Sequence, residues 1–269
     1  AHHVRTYHWN DSTRVSLLVT GSPQYQIQDD LGLGDGVGPT LQWLLASSFL
    51  EFQDSVVQAL DLDPEIADIF IRLRGIFHLP NAESSLGTEL HDLTCFVVHK
   101  LLLIPPLSNS PQSECLRCGM ALYMLIIHGT TYYTHTDLAN AIILRLKDQL
   151  ESLAMAPFNV VFGSLQIWAI SVAMASATDP TDIKWLSYAA RIAADTMGLQ
   201  NWDEVGIHLR NILWLETERA DVLRHQWEKV LTWIQKIMDD ISQCNTPNQQ
   251  PLKWALLFPQ KTYDTSIHQ

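Results

Sequence analysis

The chain of 269 residues carries 17 basic and 29 acidic side chains, a formal net charge of −12 with histidine neutral. Phosphate contacts need lysine and arginine in excess, so this balance excludes a bare nucleic-acid-binding module. Charged residues at 17% and hydrophobic residues at 47% exclude a disordered tail and provide for a substantial buried core.

The opening AHHVRTYHWN lacks the apolar stretch of a secretory signal, and His2 and His3 read as vector remnant. Val15 to Thr20 (VSLLVT) has the alternation of a short strand, and Gly21 to Pro39 is rich in Gly, Gln and Asp. Residues 1–39 are therefore an irregular lead. From Thr40 the period becomes helical: Leu41, Leu44, Leu45, Phe49, Phe52, Val56 and Leu60 form one apolar stripe. Asp63-Pro64 supplies an N-cap and a first-turn proline for the next helix, with Ile66, Ile69, Phe70 and Leu73 on its core face and Gly75 near its end. A third helix is expected over 87–104, stopped by Pro105-Pro106, and a fourth over 112–128.

A fifth helix spans about 137–153, capped by Thr134 or Thr136. Pro157 divides it from a very apolar sixth, 159–178. Asp179-Pro180-Thr181-Asp182 starts a seventh that ends at Gly198, a residue free to take the left-handed cap conformation. Helices over 202–216 and 218–242 complete the set. The tail beyond Pro247 still carries Trp254, Leu256, Leu257 and Phe258, apolar residues expected to pack back on the body. No repeat and no linker divides residues 40–269, so they read as a single all-α multi-helix bundle.

A membrane span needs about 20 predominantly apolar residues. Residues 160–177 come nearest, but Ser164, Gln166 and Ser171 make a buried helix the better reading. Four cysteines are too few for a disulfide framework in a chain of this length, and the sequon at Asn10 lacks a secretory context. An intracellular location is expected, with no membrane partner.

Cys115-Leu-Arg-Cys118 has the spacing of half a zinc site, yet no second pair completes the four ligands, and both cysteines fall on an apolar helical pattern. They read as buried small hydrophobes. The run Gly32-Leu-Gly34-Asp-Gly36-Val-Gly38 lacks both GxGxxG spacing and a Walker lysine, and reads as a loop. Eleven histidines are many, but Asp92 and His99 share a face with no third ligand beside them. No metal and no cofactor is expected. His128, closing an apolar run beside Tyr132 and Tyr133, is the histidine best placed to line a cavity. Trp168, Trp185, Trp214 and Trp227 are core packers first, although an aromatic bundle interior can hold a small apolar metabolite. Arg191 and Asp195, four apart, read as a surface ion pair.

Four segments carry a family likeness: ECLRCGMALYML from Glu114; LRLKDQL from Leu144 to Leu150; the apolar LQIWAISVAMASA; and GLQNWDEVGIHLRNILWLE, which places Trp202, Glu204, Val205, Leu209, Leu213, Trp214, Leu215 and Glu216 in a characteristic pattern. With LDPEIADIFIRLRGI upstream, most of residues 60–235 resemble the regulatory, middle-to-C-terminal domain of fungal binuclear zinc-cluster transcription factors. The six-cysteine cluster of that family is absent, and so are the paired glycines of its apolar helix. The resemblance implies a helical domain that restrains activity, receives inducers and contacts a protein partner or a second copy, without direct nucleic-acid contact.

Two functions follow. The first is a ligand- or partner-responsive regulatory domain of a fungal transcription factor, acting in the nucleus. The second is a free-standing cytoplasmic relative repurposed as a small-molecule enzyme, of cyclase or isomerase type, in secondary metabolism. For the second, the aromatic and histidine-rich interior would supply His128, Tyr123, Tyr132, Asp137 and Trp168 as candidate pocket and acid–base residues.

Overall fold

The structure is a computed structural model that describes Trp43, Ala46 and residues 55–78, 89–105, 110–128, 136–154, 160–214 and 220–244. Among these residues every regular element is helical: α1 (Ser55–Leu60), α2 (Pro64–Phe77), α3 (Glu89–Leu103), α4 (Pro111–His128), α5 (Thr136–Ala154), α6 (Val160–Ser176), α7 (Pro180–Met197), α8 (Trp202–Ile212) and α9 (Ala220–Cys244). The expected all-α bundle is therefore what the described residues form. Trp43 and Ala46 are helical and buried, on the stripe expected after Thr40. The strand expected at 15–20, the rest of the 1–39 lead and the apolar tail lie outside the described residues.

Capping chemistry sets the helix ends. Asp63 accepts from the Glu65 N–H at 3.0 Å, with Pro64 at the first position of α2. Asp179 accepts from Thr181 and Asp182 at 2.7 and 3.3 Å to open α7. Gly198 closes α7 at φ 67°, ψ 28°, the left-handed conformation in which a side chain would be strained. Asn201 accepts from the Glu204 N–H at 3.0 Å while the Glu204 carboxylate reaches back to the Gln200 N–H at 2.6 Å, a reciprocal cap at the start of α8. One boundary differs from the sequence reading by a full turn. α8 stops at Ile212 rather than 216, because Leu213 turns extended (φ −154°, ψ 115°) and gives its carbonyl to another helix.

The core forms around two helices. α6 is apolar on all sides, as only a fully enclosed helix can be. It packs against α4, α5, α7, α8 and α9. α4 is enclosed on its other sides by α2, α3 and α5, and every residue from Ser113 to Ile126 is buried. The serines that interrupt α6 are each spent on a neighbour. Ser171 donates to the Ile167 carbonyl at 2.7 Å and accepts from Trp227 Nε1 of α9 at 2.8 Å. Ser164 meets His208 of α8.

Where α4 crosses α6, Gly119 faces the Trp168 ring, and a Cβ on Gly119 would fall inside the van der Waals envelope of that ring. Trp168 cannot retreat, since its Nε1 donates to the Leu213 carbonyl at 2.7 Å. Gly119→Val is therefore expected to lower unfolding stability by about 2–3 kcal/mol through overpacking, and Trp168→Ala by about 3–5 kcal/mol through the cavity it leaves. Urea unfolding followed by far-UV circular dichroism measures both; a Gly119→Val change below about 0.5 kcal/mol would show that the crossing has slack.

Candidate functional site

Of the five residues singled out in the sequence, the structure brings two together. Tyr123 of α4 and Trp168 of α6 are fully buried, with ring centroids 6.0 Å apart at 60°. Tyr123 also meets Phe77 edge-on at 6.0 Å and lies nearly parallel to Trp214 at 6.4 Å. Such aromatic contacts contribute about 0.5–1.5 kcal/mol each beyond area burial. The four rings thus fill one another's space and tie α2, α4, α6 and the end of α8. His128 is the half-buried last residue of α4, where a basic group suits the carboxyl end of the helix dipole. Asp137 is exposed in the first turn of α5. Tyr132 lies outside the described residues.

The ECLRC motif turns inward as a buried electrostatic node. Arg117, 2% exposed, grips the Glu114 carboxylate with two parallel hydrogen bonds, Nε to Oε2 at 2.8 Å and Nη2 to Oε1 at 2.5 Å. Its Nη1 donates to the carbonyls of Leu101 and Ile104 at 2.9 and 3.4 Å, satisfying acceptors that the end of α3 leaves without amide partners. Burial alone would lower the pKa of Arg117, but the Glu114 hydrogen bond and charge outweigh it, and the net shift is upward. Arg117 is thus a fixed cation. Burial pushes the Cys118 thiol up to about 12, helped by Glu114 and opposed by Arg117, and raises Cys115 well above the ordinary thiol range. Both are free and buried, so they pack as small hydrophobes and are held as unreactive thiols. Among the described residues no group of three or more His, Cys, Asp or Glu could hold a metal ion.

Sequence reasoning missed one pairing. Ser164 Oγ lies 2.9 Å from His208 Nδ1, joining α6 to α8 across 44 residues of sequence, and Ser164 also donates to the Val160 carbonyl at 3.2 Å. Desolvation lowers the pKa of half-buried His208 below its ordinary 6.5, with Glu204 pulling the other way. The pair resembles a nucleophile and its base. However, Ser164 is only 2% exposed and its hydroxyl proton has a backbone acceptor, which suits a helix clamp better than an attacking group. No local motif could have flagged it, because the partners are joined only by the fold.

An open groove of about 580 Å³ lies between the start of α2 and the end of α3, walled by Pro64, Leu103, Ile104 and Pro105. Two of its three charged members are engaged: Asp68 pairs with Arg72 at 3.1 Å, and the Lys100 ammonium sits 5.9 Å from the Trp43 ring. Arg191 and Asp195 also depart from the sequence reading. They form no ion pair; the Arg191 guanidinium instead sits over the ring of Trp233 of α9, 3.9 Å from its centre. The arrangement fits cation–π stacking, which prefers a planar, weakly hydrated guanidinium.

Comparison with known proteins gives no match to any family model, curated protein or solved structure.

Two measurements test these assignments. Arg117→Met leaves the Glu114 carboxylate buried without its cation, so a loss of about 3–5 kcal/mol is expected, and adding Glu114→Leu should recover more than half of it. A double variant no more stable than Arg117→Met would show that the carbonyl contacts, not the ion pair, carry the energy. For His208, both states are neutral above pH 6.5. As pH falls through that value the unfolded chain takes the proton first, so stability drops until the lower folded pKa is passed. His208→Gln should flatten the difference between pH 7.5 and pH 5 by less than about 1 kcal/mol, because the ring is half exposed; an identical pH profile would remove the histidine from the account.

Proposed function

We propose that the chain is a ligand- or partner-responsive regulatory domain of a fungal transcription factor, one that does not itself grip DNA and that acts in the nucleus. The observation that carries this reading is how the motif residues are spent. Glu114 and Arg117 of ECLRC lock α4 onto the end of α3. Asn201 and Glu204 of NWDEV cap α8, and the Leu213 carbonyl of the same segment takes the Trp168 indole. Segments that match a family only in residues of this kind describe a scaffold, and a helical scaffold is what that regulatory domain resembles. The acidic balance fits a body whose DNA contact would come from a separate basic module.

The enzymatic alternative draws less from the same residues. Tyr123 and Trp168 are committed to ring packing, and Asp137 stands in solvent. Function lives in the site rather than in the fold, and these positions are arranged for cohesion.

The test is a tethered reporter. The 269-residue chain is joined to a heterologous DNA-binding module and activation segment in yeast. Restraint should lower reporter output by about fivefold or more, the lower range of ordinary coupling energies, and Arg117→Met should relieve it. Equal output with and without the chain, at equal protein levels, refutes the regulatory reading. Retardation of duplex DNA by the isolated chain at about 0.15 M salt would refute the claim that it does not grip DNA.

A further inference from the structure

The outer face of α7 is chemically distinct from the rest of that helix. Leu186, Ala190, Ala193 and Ala194 are buried on its core side. On the opposite side, steps of four, three and four residues align Lys184, Tyr188, Arg191 and Asp195 in one stripe. Lys184, Tyr188 and Asp195 are exposed, and among the described residues none of their side chains makes a hydrogen bond or ion pair. Tyr188 is 42% exposed, Ile192 beside it 40%, and Trp233 of α9, held under Arg191, 40%. Tyrosine, tryptophan and arginine are the side chains that dominate binding energy at protein interfaces.

The stripe is self-complementary. Two copies of α7 laid antiparallel, with a two-fold axis between positions 189 and 190, set Lys184 opposite the partner's Asp195 and Tyr188 opposite the partner's Arg191. The axis repeats each contact, giving two ion pairs and two cation–π contacts, flanked by Ile192 and Trp233. The remaining charge pattern points the same way. Copies carrying −12 each repel over most of their surface, whereas this stripe has a net charge of only +1, so repulsion between like molecules is small there.

We propose that the outer face of α7, extended by Trp233, is the contact surface of an antiparallel homodimer. The inference is independent of the regulatory reading. One helix stripe and its flanks make a small interface, so the dimer is weak and concentration-dependent, and salt loosens it by screening its ion pairs.

Sedimentation velocity on the full chain, from about 1 µM to about 1 mM at low and high salt, tests it. The wild type should dimerise within that range. Lys184→Glu and Asp195→Lys should each raise Kd by about tenfold or more, by setting like charges face to face. An equimolar mixture of the two variants should form the heterodimer, since both of its pairs are then attractive, and the double variant should regain self-association. Tyr188→Ala should weaken the dimer at unchanged helicity. A wild type that stays monomeric up to the highest concentration overturns the proposal. So does a dimer indifferent to both charge reversals, or a mixture that fails to associate.

Discussion

The constraint on which the rest of the molecule depends is that α6, from Gly163 to Met174, buries every residue but Gln166. A helix apolar around its whole circumference is stable only when neighbours enclose it, and α4, α5, α7, α8 and α9 do so. Hydrophobic burial drives that assembly but is non-directional, and would tolerate sliding of one helix along another. Register comes from a few directed bonds. Trp168 to the Leu213 carbonyl fixes α6 against the end of α8, Ser171 with Trp227 fixes it against α9, and Ser164 with His208 holds α8 from a second point. Each is a polar group that would be costly to bury alone, so the correct register is the one that satisfies all three.

Two arginines solve a related problem. A helix that ends leaves its last carbonyls without amide partners. Arg117 reaches from α4 to the carbonyls at the end of α3, and Arg74 reaches from α2 to those of Asn211 and Ile212 at the end of α8, at 2.5 and 3.2 Å. A cation there also opposes the negative end of the helix dipole. Burying Arg117 requires a counter-charge, and Glu114, one turn earlier, supplies it in the two-pronged geometry that guanidinium and carboxylate share. Buried pairs of this kind often add little net stability over apolar replacements of similar volume, and here the directed contacts tie α4 to the last carbonyls of α3.

Much of this was legible in the sequence because it is local. Helix starts at Asp63-Pro64 and Asp179-Pro180, and the stop at Gly198, follow from side chains that cap backbone groups within three residues. The enclosed character of α6 follows from its composition. The early end of α8 was not legible, because Leu213 leaves the helix to meet an indole 45 residues away. The candidate site was less legible still. An aromatic-rich interior reads the same whether its rings line a void or fill it. Only the placement of Phe77, Tyr123, Trp168 and Trp214 shows that here the rings pack on one another.

The same division explains where recognition can reside. Conformational signals in a packed bundle pass through elements with two discrete arrangements, not through gradual deformation, because interiors are close-packed. The α4–α6 crossing and the Arg117 node are too tightly specified to be such elements. α7 is different: its inner face of Leu186 and alanines presents small side chains to α6, while its outer face carries uncommitted charge and exposed Tyr188 and Ile192. Its ends are nonetheless fixed, by the Asp179 cap, the Lys147–Asp182 ion pair at 2.8 Å and the Gly198 turn. A helix anchored at both ends and chemically open along its outer side presents a surface of defined shape, so binding there need not first order the residues that make the contact.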